Sequence, residues 1–151
     1  MRIVLDTNIL ARANFRASGS AKALLEYIMD SEDHTLILSP FLLTELERVL
    51  NYPRLQALWP LTGEEIAAYI QALQDFGETV FLADVRPVVA DDADDDPVLA
   101  TAVSGRAACL CTVDRHLRTL AVRAYADTHG IEIVNDVELL RWLRTGARHV
   151  H

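Results

Sequence analysis

Five short apolar runs, at 3–5, 35–38, 79–82, 107–112 and 131–134, are separated by longer stretches whose apolar residues recur with helical spacing. Strands buried on both faces read as continuous apolar runs, and a parallel strand needs a crossover of about a dozen residues to reach its neighbour. The chain is therefore expected to be α/β, with a central parallel sheet of four to five strands covered by helices. Helices are expected over 21–29, 41–50, 63–76, 98–103, 116–126 and 137–143. Ser39-Pro40 supplies a cap followed by proline for the second of them, and Thr62 opens and Gly77 closes the third. Asn51-Tyr52-Pro53 breaks the pattern between them.

Four acids fall where these segments change character. Asp6 ends the first run, Glu45 lies within the 41–50 helix at the margin of its apolar stripe, Asp96 precedes Pro97 at the start of another helix, and Asp114 follows the 107–112 run. In open parallel sheets ligands bind beyond the carboxyl ends of the strands, where connections part in opposite directions. Asp6 and Asp114 belong at such ends, and crossover geometry can bring the other two to the same crevice. Hard divalent cations take oxygen ligands from separate segments, and four acids in contact would not all stay ionised without one. Each acid also has a plainer reading: Asp96 and Asp114 as helix caps, Glu45 as a solvated helix edge, and Asp6 in an Asx turn with Asn8.

The 151 residues, about half of them apolar, suffice for one domain with a substantial core. The expected domain spans 1–145, with 146–151 as a flexible tail. A formal charge of −8 argues against a broad basic surface for nucleic acid. Setting aside Asp6, Glu45, Asp91, Asp92, Asp94, Asp95, Asp96 and Asp114 leaves 14 acids, which match the 14 basic residues, so the excess is confined to the candidate site and its acidic loop. All the basic residues but Lys22 are arginines, whose planar fork suits phosphate. Cys109 and Cys111 share one face of a strand and are expected to be reduced core thiols. Asp6 arrives too early for a signal peptide, and no apolar stretch approaches the ~18 residues of a spanning helix, so a cytoplasmic location without membrane contact is expected.

The segments Leu5-Asp6-Thr7-Asn8, Ser39-Pro40 through Thr44-Glu45-Leu46, Asp92 through Ala100, and Thr112-Val113-Asp114 resemble, in order and spacing, the four acidic motifs of the PIN-domain ribonucleases. The acids before Pro97 resemble those of the VapC-like group, toxins of type II toxin–antitoxin pairs. Ala93 departs from that group, which more often has proline there. The resemblance implies a three-layer α/β/α fold and metal-assisted hydrolysis of RNA phosphodiester bonds. It further implies that Asp6, Glu45, Asp96 and Asp114 hold one or two Mg²⁺ or Mn²⁺ ions, with Thr7, Asn8, Ser39, Asp95 and Thr112 orienting them. Arg12, Arg16 and Arg115 are candidates for contacting the RNA backbone or are solvated surface arginines. A cognate antitoxin is an expected partner. A homodimer or inhibitor groove is expected on apolar surface near Leu55, Leu58 and Trp59.

Two other functions compete. A phosphatase of the haloacid-dehalogenase type would also place an acid after the first strand, but it would want a second acid where Asn8 stands and a suitably placed lysine. A non-catalytic nucleic-acid-binding scaffold would be marked by missing acids, and all four are present.

Overall fold

The computed structural model describes residues 1–82 and 96–147; the side chain of Asp96 is not among the described parts. The chain runs β1 (Arg2–Leu5), α1 (Thr7–Ala11), α2 (Ser20–Asp30), β2 (Thr35–Leu38), α3 (Pro40–Leu50), α4 (Pro53–Leu58), α5 (Gly63–Phe76) and β3 (Glu78–Thr79). It continues with α6 (Asp96–Ser104), β4 (Cys109–Cys111), a 3₁₀ turn (Arg115–Arg118), α7 (Leu120–Thr128), β5 (Glu132–Val134) and α8 (Asp136–Thr145). All strands are parallel, in the order β3-β2-β1-β4-β5. The first crossovers step from β1 towards β3, and the chain then returns to β4 on the far side of β1. Connections thus diverge at β1 and β4, at whose ends Asp6 and Asp114 lie.

Alternation along the strands divides the core into two layers. Ile3, Leu5, Leu36, Leu38, Cys109, Cys111 and Val134 pack with α1, α2, α3, α5 and α8. Val4, Ile37, Leu110 and Ile133 face the opposite layer, with α6 and α7. Both cysteines are buried and free, and burial pushes the Cys109 thiol up to about 12. The helices of the second layer approach closely: a Cβ at Gly105 would stand 2.4 Å from Ile37 Cγ2, so only glycine fits where α6 leaves the sheet.

Local chemistry accounts for most element boundaries. Ser39 Oγ accepts from Leu42 N with Pro40 opening α3, and Thr62 and Glu65 form a reciprocal capping box at α5. Four boundaries differ from expectation. Asp6 is followed at once by α1, and the break at 51–53 leads directly into α4 with Pro53 in its first turn. The 79–82 run is a strand only at Glu78–Thr79, because β2 ends at Leu38, where Ser39 begins α3, leaving later residues no ladder partner beyond the bond from Val80 N to Leu38 O. The 116–126 stretch is divided at Thr119, whose side chain accepts from Val122 N and starts α7 afresh.

The expected apolar surface at Leu55, Leu58 and Trp59 is largely absent. Leu55 is buried and Trp59 packs on the core, so of the three only Leu58 is exposed. Trp142 also packs on the core. Among the described residues, no helix is long and apolar enough to cross a membrane.

Candidate active site

Asp6 sits where β1 ends. Its backbone N–H still donates to Cys111 O of β4 at 2.9 Å, while its carbonyl already accepts from Leu10 N in α1. The residue is the N-cap of α1, and the Asx turn expected with Asn8 is not formed: its carboxylate accepts from Thr7 N instead. One carboxylate oxygen accepts from Thr7 N and the other from Thr112 Oγ1, each at 2.7 Å. The carboxyl is 5 % exposed, and among the described residues no cation pairs with it. Burial, chiefly, raises its pKa above the ordinary carboxylate value; the Thr112 and Thr7 hydrogen bonds oppose that, and the charge of Asp114 adds to it.

Asp114 is brought to Asp6 by the end of β4. Thr112 joins the two: its hydroxyl donates to Asp6 and accepts from Asp114 N at 3.0 Å, so its one hydrogen is committed to Asp6. Asp114 caps the 3₁₀ turn through His116 N at 2.9 Å. A carboxylate offers about four acceptor positions, so after these bonds each of the two acids keeps lone pairs for another partner.

The other expected residues are less closely drawn in. Glu45 is half-buried on α3, which packs on α1, but its carboxylate is paired with Arg48 and no hydrogen bond or ion pair joins it to Asp6 or Asp114. Asp96 is the first residue of α6, and Asp95 lies outside the described residues. Among the described residues, no group of three or more His, Cys, Asp or Glu side chains is close enough to hold a metal. Ser39 bonds Thr101 Oγ1 at 2.8 Å and, among the described residues, no acid; it so ties the start of α3 to α6, the helix that begins with Asp96. Thr7 is buried and Asn8 exposed. Arg12 reaches Asp136 at 3.8 Å, Arg16 pairs with Glu65 at 3.1 Å, and Arg115 is exposed beside Asp114.

Two features escaped the reading of the sequence. Asp136, buried at the start of α8 just beyond β5, obeys the same rule of an acid after a parallel strand that singled out Asp6 and Asp114. Arg118 and Glu138 form an ion pair that reaches back to Thr112, and no spacing pattern announces it.

A family model described as PIN domain matches residues 2–116, about three-quarters of the chain, including Asp6, Glu45, Asp96 and Asp114. The chain belongs to the PIN domain family. Membership in a family whose members are generally nucleases sets aside the dehalogenase-type phosphatase. No curated protein matches the chain by sequence. Among solved structures, VapBC2 from Rickettsia felis bound to a DNA fragment from its promoter superposes with a TM-score of 0.59 at 15 % identity, covering 89 % of this chain and 98 % of that one. FitAcB from Neisseria gonorrhoeae gives 0.47 at 19 %, with the same coverages. The first likeness shows that this PIN domain shares its fold with a chain of that complex.

Proposed function

We propose that this PIN domain is a Mg²⁺- or Mn²⁺-dependent ribonuclease acting in the cytoplasm as the toxin of a toxin–antitoxin pair. The observation that carries the nuclease reading is Asp6: a buried carboxylate, hydrogen-bonded on both oxygens, without a cation among the described residues and close enough to Asp114 to feel its charge. A buried unpaired charge is costly, and a divalent ion is the partner that these hard oxygen donors suit. Asp6 and Asp114 would hold it, with Asp96 and Glu45 completing the set once Glu45 is released from Arg48. When bound, such an ion supplies charge neutralisation at a phosphodiester and activation of water for hydrolysis.

The chain's own residues do the rest. Thr112 fixes the direction of the Asp6 carboxylate and ties it to the backbone that carries Asp114. Thr7 N holds the other Asp6 oxygen. Arg115, exposed next to Asp114, is the best placed of the three candidate arginines to contact an RNA phosphate, because Arg12 and Arg16 already have carboxylate partners. The toxin reading rests on the resemblance of the acidic motifs to the VapC-like group, and the shared fold with VapBC2 is consistent with it. An antitoxin is the partner this reading requires; a homodimer is a further proposal.

The test is cleavage of single-stranded RNA with Mn²⁺ or Mg²⁺, repeated with EDTA and with Asp6→Ala, Asp96→Asn and Asp114→Asn. Activity should need the metal and each acid. RNA retained but uncut under all conditions would favour the scaffold reading, and undiminished cleavage in all three variants would place the active site elsewhere.

A further inference from the structure

The Arg118–Glu138 pair is poorly built for stability. Its charged atoms are 3.6 Å apart, the side chains are only 26 % and 15 % exposed, and Glu138 Oε2 is buried without a hydrogen-bond partner. A partly desolvated pair at that distance recovers little of its desolvation cost, and apolar side chains of similar size would serve the core as well or better. What the pair does have is direction. Arg118 Nη1 donates to Thr112 O at 3.3 Å, across the segment that Asp114 organises by capping the 3₁₀ turn. Glu138 is itself fixed, because its backbone N–H donates to Asn135 Oδ1 at 2.8 Å in the cap of α8.

Thr112 is the residue on which the site turns. Its N–H is held by Val134 O of β5, and its hydroxyl spans Asp6 and Asp114. Its carbonyl points to Arg118, beyond the last ladder pair of β4. With that carbonyl free, the peptide after Thr112 could rotate and carry the Asp114 N–H away from the Thr112 hydroxyl that holds it.

We propose that Arg118, oriented by Glu138, is a positioning residue that locks Thr112 so that Asp6 and Asp114 present a preformed pair of ligands to a divalent cation. This rests on the metal-dependent reading above. Outer contacts of this kind set metal affinity without touching the metal.

The test is Mn²⁺ affinity of the full chain by calorimetric titration, alongside the metal-free melting temperature. Arg118→Gln should weaken Mn²⁺ binding by about tenfold, and Arg118→Lys, which keeps the charge and one donor, should recover most of the loss. In a Thr112→Val background, Arg118→Gln should add little, because the hydroxyl through which Arg118 acts on the two acids is already gone. Arg2→Gln is the control. It breaks an arginine–glutamate pair with Glu78 at the other end of the sheet and should lower the melting temperature with Mn²⁺ affinity unchanged. Should Arg118→Gln fail to fold, Glu138→Gln reads the same contact from the other side. Mn²⁺ affinity within about twofold of the parent in Arg118→Gln, or losses that add fully with Thr112→Val, would overturn the positioning role while the metal site stands; for scale, a tenfold change is 1.4 kcal/mol. A parent protein that binds no Mn²⁺ would overturn both.

Discussion

Two aspartates lie buried beyond the carboxyl ends of the sheet, and they are treated in opposite ways. Asp136 receives a hydrogen bond from Ser20 on α2 and has Arg12, the residue that caps the end of α1, at 3.8 Å, so a cation of the chain stands beside its charge. Asp6 receives a hydroxyl and a backbone N–H, but its charged neighbour is another acid, Asp114. The first arrangement ties three helices together. The second leaves negative charge in a desolvated place that the described part of the fold does not neutralise. Among the described residues Arg12 stands against one acid and no cation stands against the other, and the divalent ion proposed at Asp6 rests on that contrast.

The largest effect that could break the contrast is on activity and metal binding. Asp6→Asn should lower RNA cleavage at least about 100-fold, since even outer contacts to a metal are worth 10- to 100-fold. Asp136→Asn should leave cleavage within a few-fold of the parent. Adding Asp114→Asn to Asp6→Asn should cost little more, as for groups acting as one unit. Equal losses from Asp6→Asn and Asp136→Asn would erase the distinction.

Stability should run the other way. Removing the charge of Asp136 leaves Arg12, whose Nη2 is already buried without a hydrogen-bond partner, with no counter-charge among the described residues. A cost of about 1–3 kcal/mol is expected in metal-free urea unfolding, the range for orphaning a partly buried polar partner. Asp6→Asn keeps an acceptor for Thr112 and removes an unpaired buried charge, so the metal-free protein should be no less stable. A comparable loss in both would mean that Asp6 is as structural as Asp136.

How far these differences could be read beforehand depended on whether the signal was local. The end of β1 at Asp6, the Ser39-Pro40 start of α3 and the opening of α5 at Thr62 are written within a few residues, and all three are found. The helix α1 was missed because its five residues, Thr7–Ala11, are too few to show a period. Thr119 was hidden as a cap because Leu117, Val122 and Ala126 bury on the same layer, so the apolar rhythm runs through the break. In the site, Asp6 and Asp114 were legible as acids at strand ends, and their sharing of Thr112 follows from the parallel register of β1 and β4. The pairing of Glu45 with Arg48 was not foreseen, although an i,i+3 spacing permits it. Arg12 with Asp136 and Arg118 with Glu138 join segments that meet only through tertiary packing, which no local pattern encodes.

A subtler effect concerns pH in the metal-free protein. Because the Asp6 pKa is raised in the folded state, the native protein holds this proton more tightly than the unfolded chain. The associated stability is present below the unfolded value of about 4 and is lost as pH rises through the raised folded value. In EDTA, the parent should therefore lose stability on going upward from about pH 4 relative to Asp6→Asn, and saturating Mn²⁺ should reverse the trend by binding the ionised form. A pH dependence identical in parent and variant would remove the desolvated charge from the argument.

The smallest effect tests the two hydroxyls that serve the two acids. Ser20→Ala removes one donor from Asp136 but leaves Arg12, so the change should cost about 0.5–1.5 kcal/mol, the net worth of an ordinary hydrogen bond. Thr112→Val conserves volume in a fully buried place and takes from Asp6 the donor that most opposes its raised pKa. Its stability cost should be similar, because Asp6 can relieve the loss by taking up a proton. Its distinguishing mark is therefore elsewhere: the pH at which Mn²⁺ binds should move upward in Thr112→Val and stay put in Ser20→Ala. Titrations of Mn²⁺ between pH 5 and 8 in both variants decide it, and an equal displacement in the two would mean that the hydroxyls, and the acids they serve, play the same part.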